Sequence, residues 1–377
     1  MIDTLRADRL GWYGGGLELT PFLDTLAHRG TVFWNAYAQS SWTCPSMASV
    51  WTARYPSQHG VTASTSVLSQ AEITLPEVLK AHGYVTAGFV ANRILGSRLG
   101  YSQGFDTYEL FPPERPETAT KAPAGGFTKA MVKERAERLN QASLAWLDAR
   151  QTKASPIFLY LHYMEPHMPY EPPQDMLDRT MRRRGNPEQE RQVYARMLFV
   201  DQALWNRPDA EALHVIEDLY DAEVMSIDAR LQELFSALES RAFLSKAVVV
   251  ITADHGEELL DHGLRGHGPT LYNEVTHVPL LIMLPGQTSS TSARDVVSLV
   301  DLAPTLLEMA SIAPPPSFEG HSLRPMLVVK WSLVGWFSRL NPFGNQQRSA
   351  YSQLLERPPS LGSPRPNRHN AAIVVGS

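Results

Sequence analysis

The 377-residue sequence has a single cysteine, Cys44. One thiol excludes an intrachain disulfide framework and a cysteine-built zinc cluster, yet it leaves the compartment open, because bacterial secreted proteins often lack disulfides. No run of about 20 apolar residues occurs, and the first residues lack a basic stretch followed by an apolar one, so no membrane segment is expected in this chain. Concentrated positive charge is missing too. With 34 Lys and Arg against 39 Asp and Glu, spread evenly to a net charge of -5, nothing forms the basic face that nucleic-acid binding requires. Internal repeats are also absent. What remains is an ordinary globular composition, 43% hydrophobic and 19% charged, enough for one large domain with or without a small appendage. The abrupt start at Met1-Ile2-Asp3 and a strand-like run ending at Gly376 lead us to expect both ends to be truncated, so that a lost signal or anchor segment is compatible with the sequence.

Short β-branched apolar runs alternate with helical periodicities, the pattern of an α/β protein with a largely parallel sheet sandwiched by helices. Strands are expected at Val85 to Val90, Ile157 to His162, Ala247 to Thr252 and Val278 to Leu284. The clearest helix carries Ile216, Tyr220, Val224, Ile227, Leu231, Leu234 and Leu238 on one stripe and leads into the third of those strands. Pro112 to Gly126 and Gln174 to Asn206 show no sustained apolar rhythm and are expected to be surface insertions. Beyond Pro314 to Pro316 the composition changes. Lys330 to Phe343, with Trp331, Trp336 and Phe337, reads either as a flap over substrate or membrane, or as plain packing against the main domain.

Three places carry chemistry. Ala247 to Gly256 is a strand-like run ending in Asp254 and His255, and ligands gather at the carboxyl ends of parallel strands. The plain alternative is a helix-capping Asp beside a surface His. A polar, Gly- and His-rich stretch from Glu257 to Gly268 follows, suited to holding side chains over a ligand. Near the start, Asp3 can complete a metal site with Asp254 and His255. In Ser41 to Ser46, the Thr43 hydroxyl precedes a helix-like segment with Pro45 at its expected first position. There it is either an ordinary N-cap or a nucleophile favoured as alkoxide by the helix dipole and a nearby cation.

Together, Asp3-Thr4-Leu5-Arg6-Ala7-Asp8, Ser41-Trp42-Thr43-Cys44-Pro45-Ser46, Arg54 to Gly60, His162-Tyr163-Met164-Glu165-Pro166-His167, Asp254-His255-Gly256, Gly266-His267-Gly268 and Val278-Pro279-Leu280 resemble the sulfatase family of the alkaline phosphatase superfamily. The resemblance covers Asp3 to about Leu327 in the family's order. It implies a sulfatase-like catalytic domain over 1–327, followed by a flap and an incomplete C-terminal subdomain over 328–377. It also implies a divalent metal ion (Mn, Ca, Mg or Zn) held by Asp3, Asp254 and His255 with Thr43 as a further ligand. His167 and His267 would contact the sulfuryl or phosphoryl oxygens, with His262 a weaker substrate contact. A satisfied loop position remains the alternative for His167, between Pro166 and Pro169. Small-molecule, lipid or glycan esters are the implied substrates.

The sequence also departs from that family. Sulfatases carry Cys-x-Pro-x-Arg, whose cysteine becomes formylglycine, whereas here the cysteine position is Thr43 and the arginine position Met47, with Cys44 one place late. Formylglycine is therefore not expected. A threonine ester must be broken by an external nucleophile, which favours phosphoester hydrolysis or transfer over sulfate release. A sulfatase working without formylglycine is the first alternative, and a silent binding protein the second. The paired aspartates of the family appear as Asp3-Thr4, removing one ligand, and Ala91-Asn92-Arg93 stands where a Lys and a His are usual, leaving Asn92 as an oxyanion contact. Glu165, His167 and His262 or His267 offer a second metal site. One ion is favoured over two, because Glu165 precedes Pro166 and its direction is undetermined.

Overall fold

Apolar β-branched runs become strands where helices cover both faces, and the centre of this molecule is built that way. The computed structural model describes all residues except 16–17, 112–134, 151–154, 184, 200–207, 328–348, 354–370 and 376–377. In chain order the strands are β1 (Thr31–Tyr37), β2 (Val85–Val90), β3 (Thr107–Leu110), β4 (Ile157–His162), β5 (Val249–Thr252) and β6 (Glu258–Leu259). They continue with β7 (Arg265–Gly266), β8 (His277–Val278), β9 (Leu280–Met283), β10 (Thr291–Ser298), β11 (Ser349–Gln353) and β12 (Ala371–Val375).

One sheet has the order β3-β2-β4, all parallel. Another runs β10-β1-β9-β5 with β8 beside β1; here β1 and β10 are parallel, while β9 is antiparallel to both β1 and β5. The expected parallel α/β architecture is present, with β9 as an antiparallel member. Residues Met1 to Asp3 bridge the two sheets. Ile2 N donates to Thr252 O (2.9 Å), Asp3 N to Tyr163 O (3.0 Å) and Tyr163 N to Met1 O (3.0 Å). Asp3 is thereby delivered to the carboxyl ends of β4 and β5 together.

The helices are α1 (Pro21–Ala27), α2 (Thr43–Thr52), α3 (Pro56–His59), α4 (Leu75–Ala81), α5 (Arg135–Asp148), α6 (Gln174–Arg183), α7 (Pro187–Phe199), α8 (Ala210–Ser240), α9 (Asn273–Thr276) and α10 (Leu302–Met309). The apolar stripe read from the sequence is the buried face of α8, where Ile216, Tyr220, Val224, Ile227, Leu231 and Leu234 are all in the core. Each such side chain stabilises the fold by roughly 1.5–3 kcal/mol. The helix begins at Asp209, whose carboxylate accepts from Ala212 N at 2.8 Å.

Several expectations need correction. Strands β2 and β4 have the expected limits, but β5 starts at Val249 rather than Ala247, because Leu244–Lys246 forms a 3-10 turn immediately before. Val278 to Leu284 is two strands, broken at Pro279, which has no N–H for the ladder. The described part of Gln174 to Asn206 is largely helical: α6 and α7 pack against α8 and bury Leu177, Met181, Val193 and Met197. Arginines and glutamates around those few apolar residues diluted the periodicity. Pro112 to Gly126 and the aromatic segment Lys330 to Phe343 lie outside the described residues. Among the described residues no helix is long and apolar enough to cross a membrane.

Candidate active site

The side chains of Asp3, Asp254 and His255 are fully buried beside one another. Asp254 Oδ1 accepts from the backbone N–H of His255 (3.0 Å) and Thr4 (3.4 Å). Its other oxygen, Oδ2, and Asp3 Oδ1 accept no hydrogen bond from the described residues. Both face His255 Nε2, at 3.4 and 3.7 Å. Because His255 Nδ1–H donates to the Gly256 carbonyl (2.9 Å), Nε2 keeps its lone pair for this space. Thr43 Oγ1 lies 3.2 Å from the same nitrogen.

Two buried carboxylate oxygens without a proton donor, an imidazole lone pair and a hydroxyl thus converge, a donor set that fits a divalent cation. Burial, then the charge of Asp3, pushes the Asp254 carboxyl up. Burial acts in the same direction on Asp3 but is outweighed by the His162 hydrogen bond and by the charges of His167, His162 and His255, which hold it below the usual carboxylate range. Ligand atoms of His162, Asp3 and Asp254 also lie within 4.8 Å of one another. His162 Nε2, however, bonds to Asp3 Oδ2 (3.2 Å), the oxygen that already accepts from Asn92 Nδ2 (2.6 Å). His162 therefore braces a candidate ligand, and the unsatisfied oxygens are the donors a cation would use.

Local structure explains the convergence. Thr4 adopts a left-handed conformation (φ 59°), costly for a β-branched residue, and its carbonyl accepts from the buried Tyr220 hydroxyl (2.8 Å). Thr43 opens α2 as its first helical residue, after Trp42 at the N-cap position, so its hydroxyl is not the capping group that the sequence allowed. Pro45 correspondingly stands third rather than first. Ser46 Oγ donates to the Asp254 carbonyl (2.6 Å), fastening the helix that carries Thr43 to the strand end that carries Asp254 and His255. The Cys44 thiol is directed instead at the Ile94 carbonyl (3.8 Å), and its own carbonyl accepts from the Tyr101 hydroxyl (2.6 Å).

His167 and His267 stand over this group, His267 with its ring centroid 4.4 Å from His255 and 5.0 Å from His167. His267 Nδ1 pairs with Glu257 Oε1 (2.8 Å), and the Tyr170 hydroxyl donates to Glu257 Oε2 (3.3 Å). Burial pushes the Glu257 carboxyl up to about 8, with His255 opposing and Asp3 adding to the shift, so the pair is equipped to hold and move a proton. His167 Nδ1 is bound to the Met168 carbonyl. Arg6, buried, grips Asp261 (2.7 Å) and the Glu257 carbonyl (3.2 Å), which fixes the loop below His267.

The structure thus brings together Asp3, Thr43, Asp254, His255, His167 and His267. Asn92 is turned to Asp3, and its Oδ1 accepts from Ile94 N (3.1 Å), so both of its polar atoms already serve the site's frame. His262 makes its contacts elsewhere, with Glu258 (3.3 Å) and stacked on Tyr272 at 3.6 Å. His162, Glu257, Ser46 and Arg6 stand within the quoted motifs and the polar stretch, but the sequence alone assigned them no role in the site. His162 ends β4 as Asp254 follows β5, and the same strand-end rule would have found it. Glu257 and Glu258, in the polar stretch expected to hold side chains over a ligand, are both fully buried, where His267, Tyr170, Thr270 and His262 satisfy them.

These elements define an α/β fold with a polar centre at the carboxyl ends of its strands. A phosphonate monoester hydrolase of Agrobacterium radiobacter shares that fold with a TM-score of 0.72 at 22% identity, over 93% of this chain and 79% of that one. The sulfatase family model matches residues 1–312, and the chain belongs to the sulfatase family. Among curated relatives, arylsulfatase K of Bos taurus is 27% identical over 89% of this chain and 66% of its own length. Human iduronate 2-sulfatase is 26% identical over 84% of this chain and 69% of its own length. The chain spans 62% of the length of human arylsulfatase K, less than two thirds.

Proposed function

We propose that this chain is a metal-dependent hydrolase of sulfate esters whose attacking group is the Thr43 hydroxyl. The observation that carries the reading is Thr43 Oγ1 at 3.2 Å from His255 Nε2, beside two carboxylate oxygens that accept no hydrogen bond. Asp3, Asp254 and His255 would hold the ion, which when bound favours the Thr43 alkoxide and screens the ester's negative charge. Thr43 Oγ forms a bond to the central sulfur or phosphorus as the bond to the leaving oxygen breaks. The His267–Glu257 pair supplies the proton that the leaving alcohol needs, and His167, whose Nδ1–H is taken by the Met168 carbonyl, donates from Nε2 to an ester oxygen only as the imidazolium. Water then attacks the Thr43 ester from outside, returns the threonine and gives a proton back to His267.

The names of the relatives shift the substrate class toward sulfate esters, away from the phosphoesters expected from Thr43 alone. Phosphoester hydrolysis stays as a second reading, because a threonine ester lacks the internal elimination route of an aldehyde hydrate and needs a second displacement, which suits phosphorus. The test is turnover of aryl sulfate, phosphodiester, phosphomonoester and phosphonate substrates with Mn, Zn, Mg or Ca, for the wild type and Thr43→Ala. The reading requires metal-dependent turnover that falls about a thousandfold or more in Thr43→Ala. Full activity in that variant removes Thr43 from the mechanism. Phosphodiester turnover far above sulfate turnover makes the second reading the right one.

A further inference from the structure

Asp3 uses its two oxygens differently: Oδ1 faces Asp254 and His255, and Oδ2 is held from behind by Asn92 and His162. Behind His162 stands a further residue. Tyr160 Oη lies 2.6 Å from His162 Nδ1, and both side chains are buried on the same face of β4, two residues apart. We propose that Tyr160 and His162 are a positioning pair, in which the Tyr160 hydroxyl fixes the proton of His162 on Nε2 so that it donates to Asp3 Oδ2 and keeps Asp3 Oδ1 aimed at the cation. This rests on the metal reading of the Asp3 site given above.

The directions of the hydrogen bonds support the assignment. The Tyr160 hydroxyl has one proton, and its possible acceptors are His162 Nδ1 at 2.6 Å and the poorer Met47 Sδ at 3.7 Å. Burial holds this phenol well above its ordinary range, so it stays a donor. When Nδ1 accepts, the ring proton sits on Nε2, 3.2 Å from the carboxylate. In the other tautomer a nitrogen lone pair would face an anionic oxygen, and Asp3 Oδ2 would keep only Asn92. Groups behind a metal ligand typically alter affinity about 10–100-fold when removed. Packing of Tyr160 edge-on against Trp51, centroids 4.6 Å apart, fixes the phenol ring independently of its hydroxyl, so Tyr160→Phe should keep the ring in place.

A buried tyrosine and histidine that merely satisfy one another would leave metal binding untouched. The experiment is calorimetric titration of Mn²⁺ into the wild type, Asp254→Asn, Tyr160→Phe, His162→Gln and the Tyr160→Phe/His162→Gln double variant. It is paired with ¹⁵N spectra of histidine-labelled protein. Tyr160→Phe is expected to weaken Mn²⁺ binding about tenfold or more and to lower the population of the Nε2–H tautomer of His162, which the wild type holds alone. Glutamine at 162 can still donate to Asp3, so His162→Gln should bind within about threefold of wild type, and adding Tyr160→Phe to it should cost nothing further. Wild-type Mn²⁺ affinity in Tyr160→Phe, or an equal loss in both backgrounds, overturns the pair, and the metal reading then stands if Asp254→Asn abolishes binding. A wild type that takes up none of Mn²⁺, Ca²⁺, Mg²⁺ or Zn²⁺ in the same titration overturns both.

Discussion

The substitution Asp254→Asn probes the buried charge at the centre of the site, and its effect should change sign with metal. Asparagine keeps the Oδ1 acceptor used by His255 N and Thr4 N and replaces with an uncharged amide the Oδ2 that, like Asp3 Oδ1, faces His255 Nε2. With ligand atoms no more than 4.8 Å apart, two ionised carboxylates repel by about 3 kcal/mol at an effective dielectric constant of 20. In chelator at pH 8 the variant should therefore exceed the wild type in stability by up to about 3 kcal/mol. At the usual unfolding entropy per residue, that is about 4 °C in Tm for a chain of this length. Mn²⁺ at 100 times its Kd should stabilise the wild type by about 2.7 kcal/mol and leave the variant unmoved, erasing or reversing the order. Scanning calorimetry with and without chelator reads both arms. A variant less stable than wild type in chelator, with an unchanged response to Mn²⁺, would refute the cation site.

Cys44→Ala should retain turnover within about threefold while lowering stability by about 1 kcal/mol, since the thiol is buried away from Thr43; loss of activity comparable to that of Thr43→Ala would reassign the nucleophile. Ser46→Ala strips the Asp254 carbonyl of its donor and should cost about 1–3 kcal/mol in urea unfolding together with a fall in kcat. His59 accepts from Val61 N through Nδ1 (3.1 Å) and meets Ser49 Oγ at 2.9 Å through Nε2, so it is held neutral; burial, then the charge of Arg54, lowers its pKa from 6.5 to about 4. A histidine depressed on folding contributes stability that is complete above pH 6.5 and lost as pH falls through about 4, on the order of 3 kcal/mol here. His59→Gln should flatten that limb of the stability-against-pH curve; an unchanged slope assigns the acid sensitivity to other groups.

Much of the site could be read in the sequence because its residues sit at strand ends or helix starts that apolar patterning locates. The limits of β4 followed from its aromatic and aliphatic run and the end of β5 from its β-branched one, and with that end Asp254 and His255. Thr43 was found by register with Pro45 and Ser46, and the fold removes the N-cap alternative, since its hydroxyl turns to His255 rather than to the helix's own N–H groups. Interior polar pairing stayed hidden. Glu257 and Glu258 look like surface residues until His267 and Thr270 come within reach, and Asn92 looks like a substrate contact until Asp3 is beside it. The helices α6 and α7 escaped because their burial is set by α8, more than ten residues further on, and not by their own composition.

The bridge that Met1 to Asp3 makes between β4 and β5 has a consequence for how the protein comes into being. Thr4 and Asp254, joined through one hydrogen bond, are 250 residues apart. At roughly 5–20 residues per second, a ribosome needs roughly 12–50 s to pass from the first carboxylate to the second. Late in that interval β4, which ends at His162, is already made and can pair with Met1 to Asp3, but β5 is still missing and the second sheet has nothing to close against. The seam between the sheets and the polar centre are thus completed in one late event, so a shortened product ending before Asp254 would have its first half folded at most and no site at all.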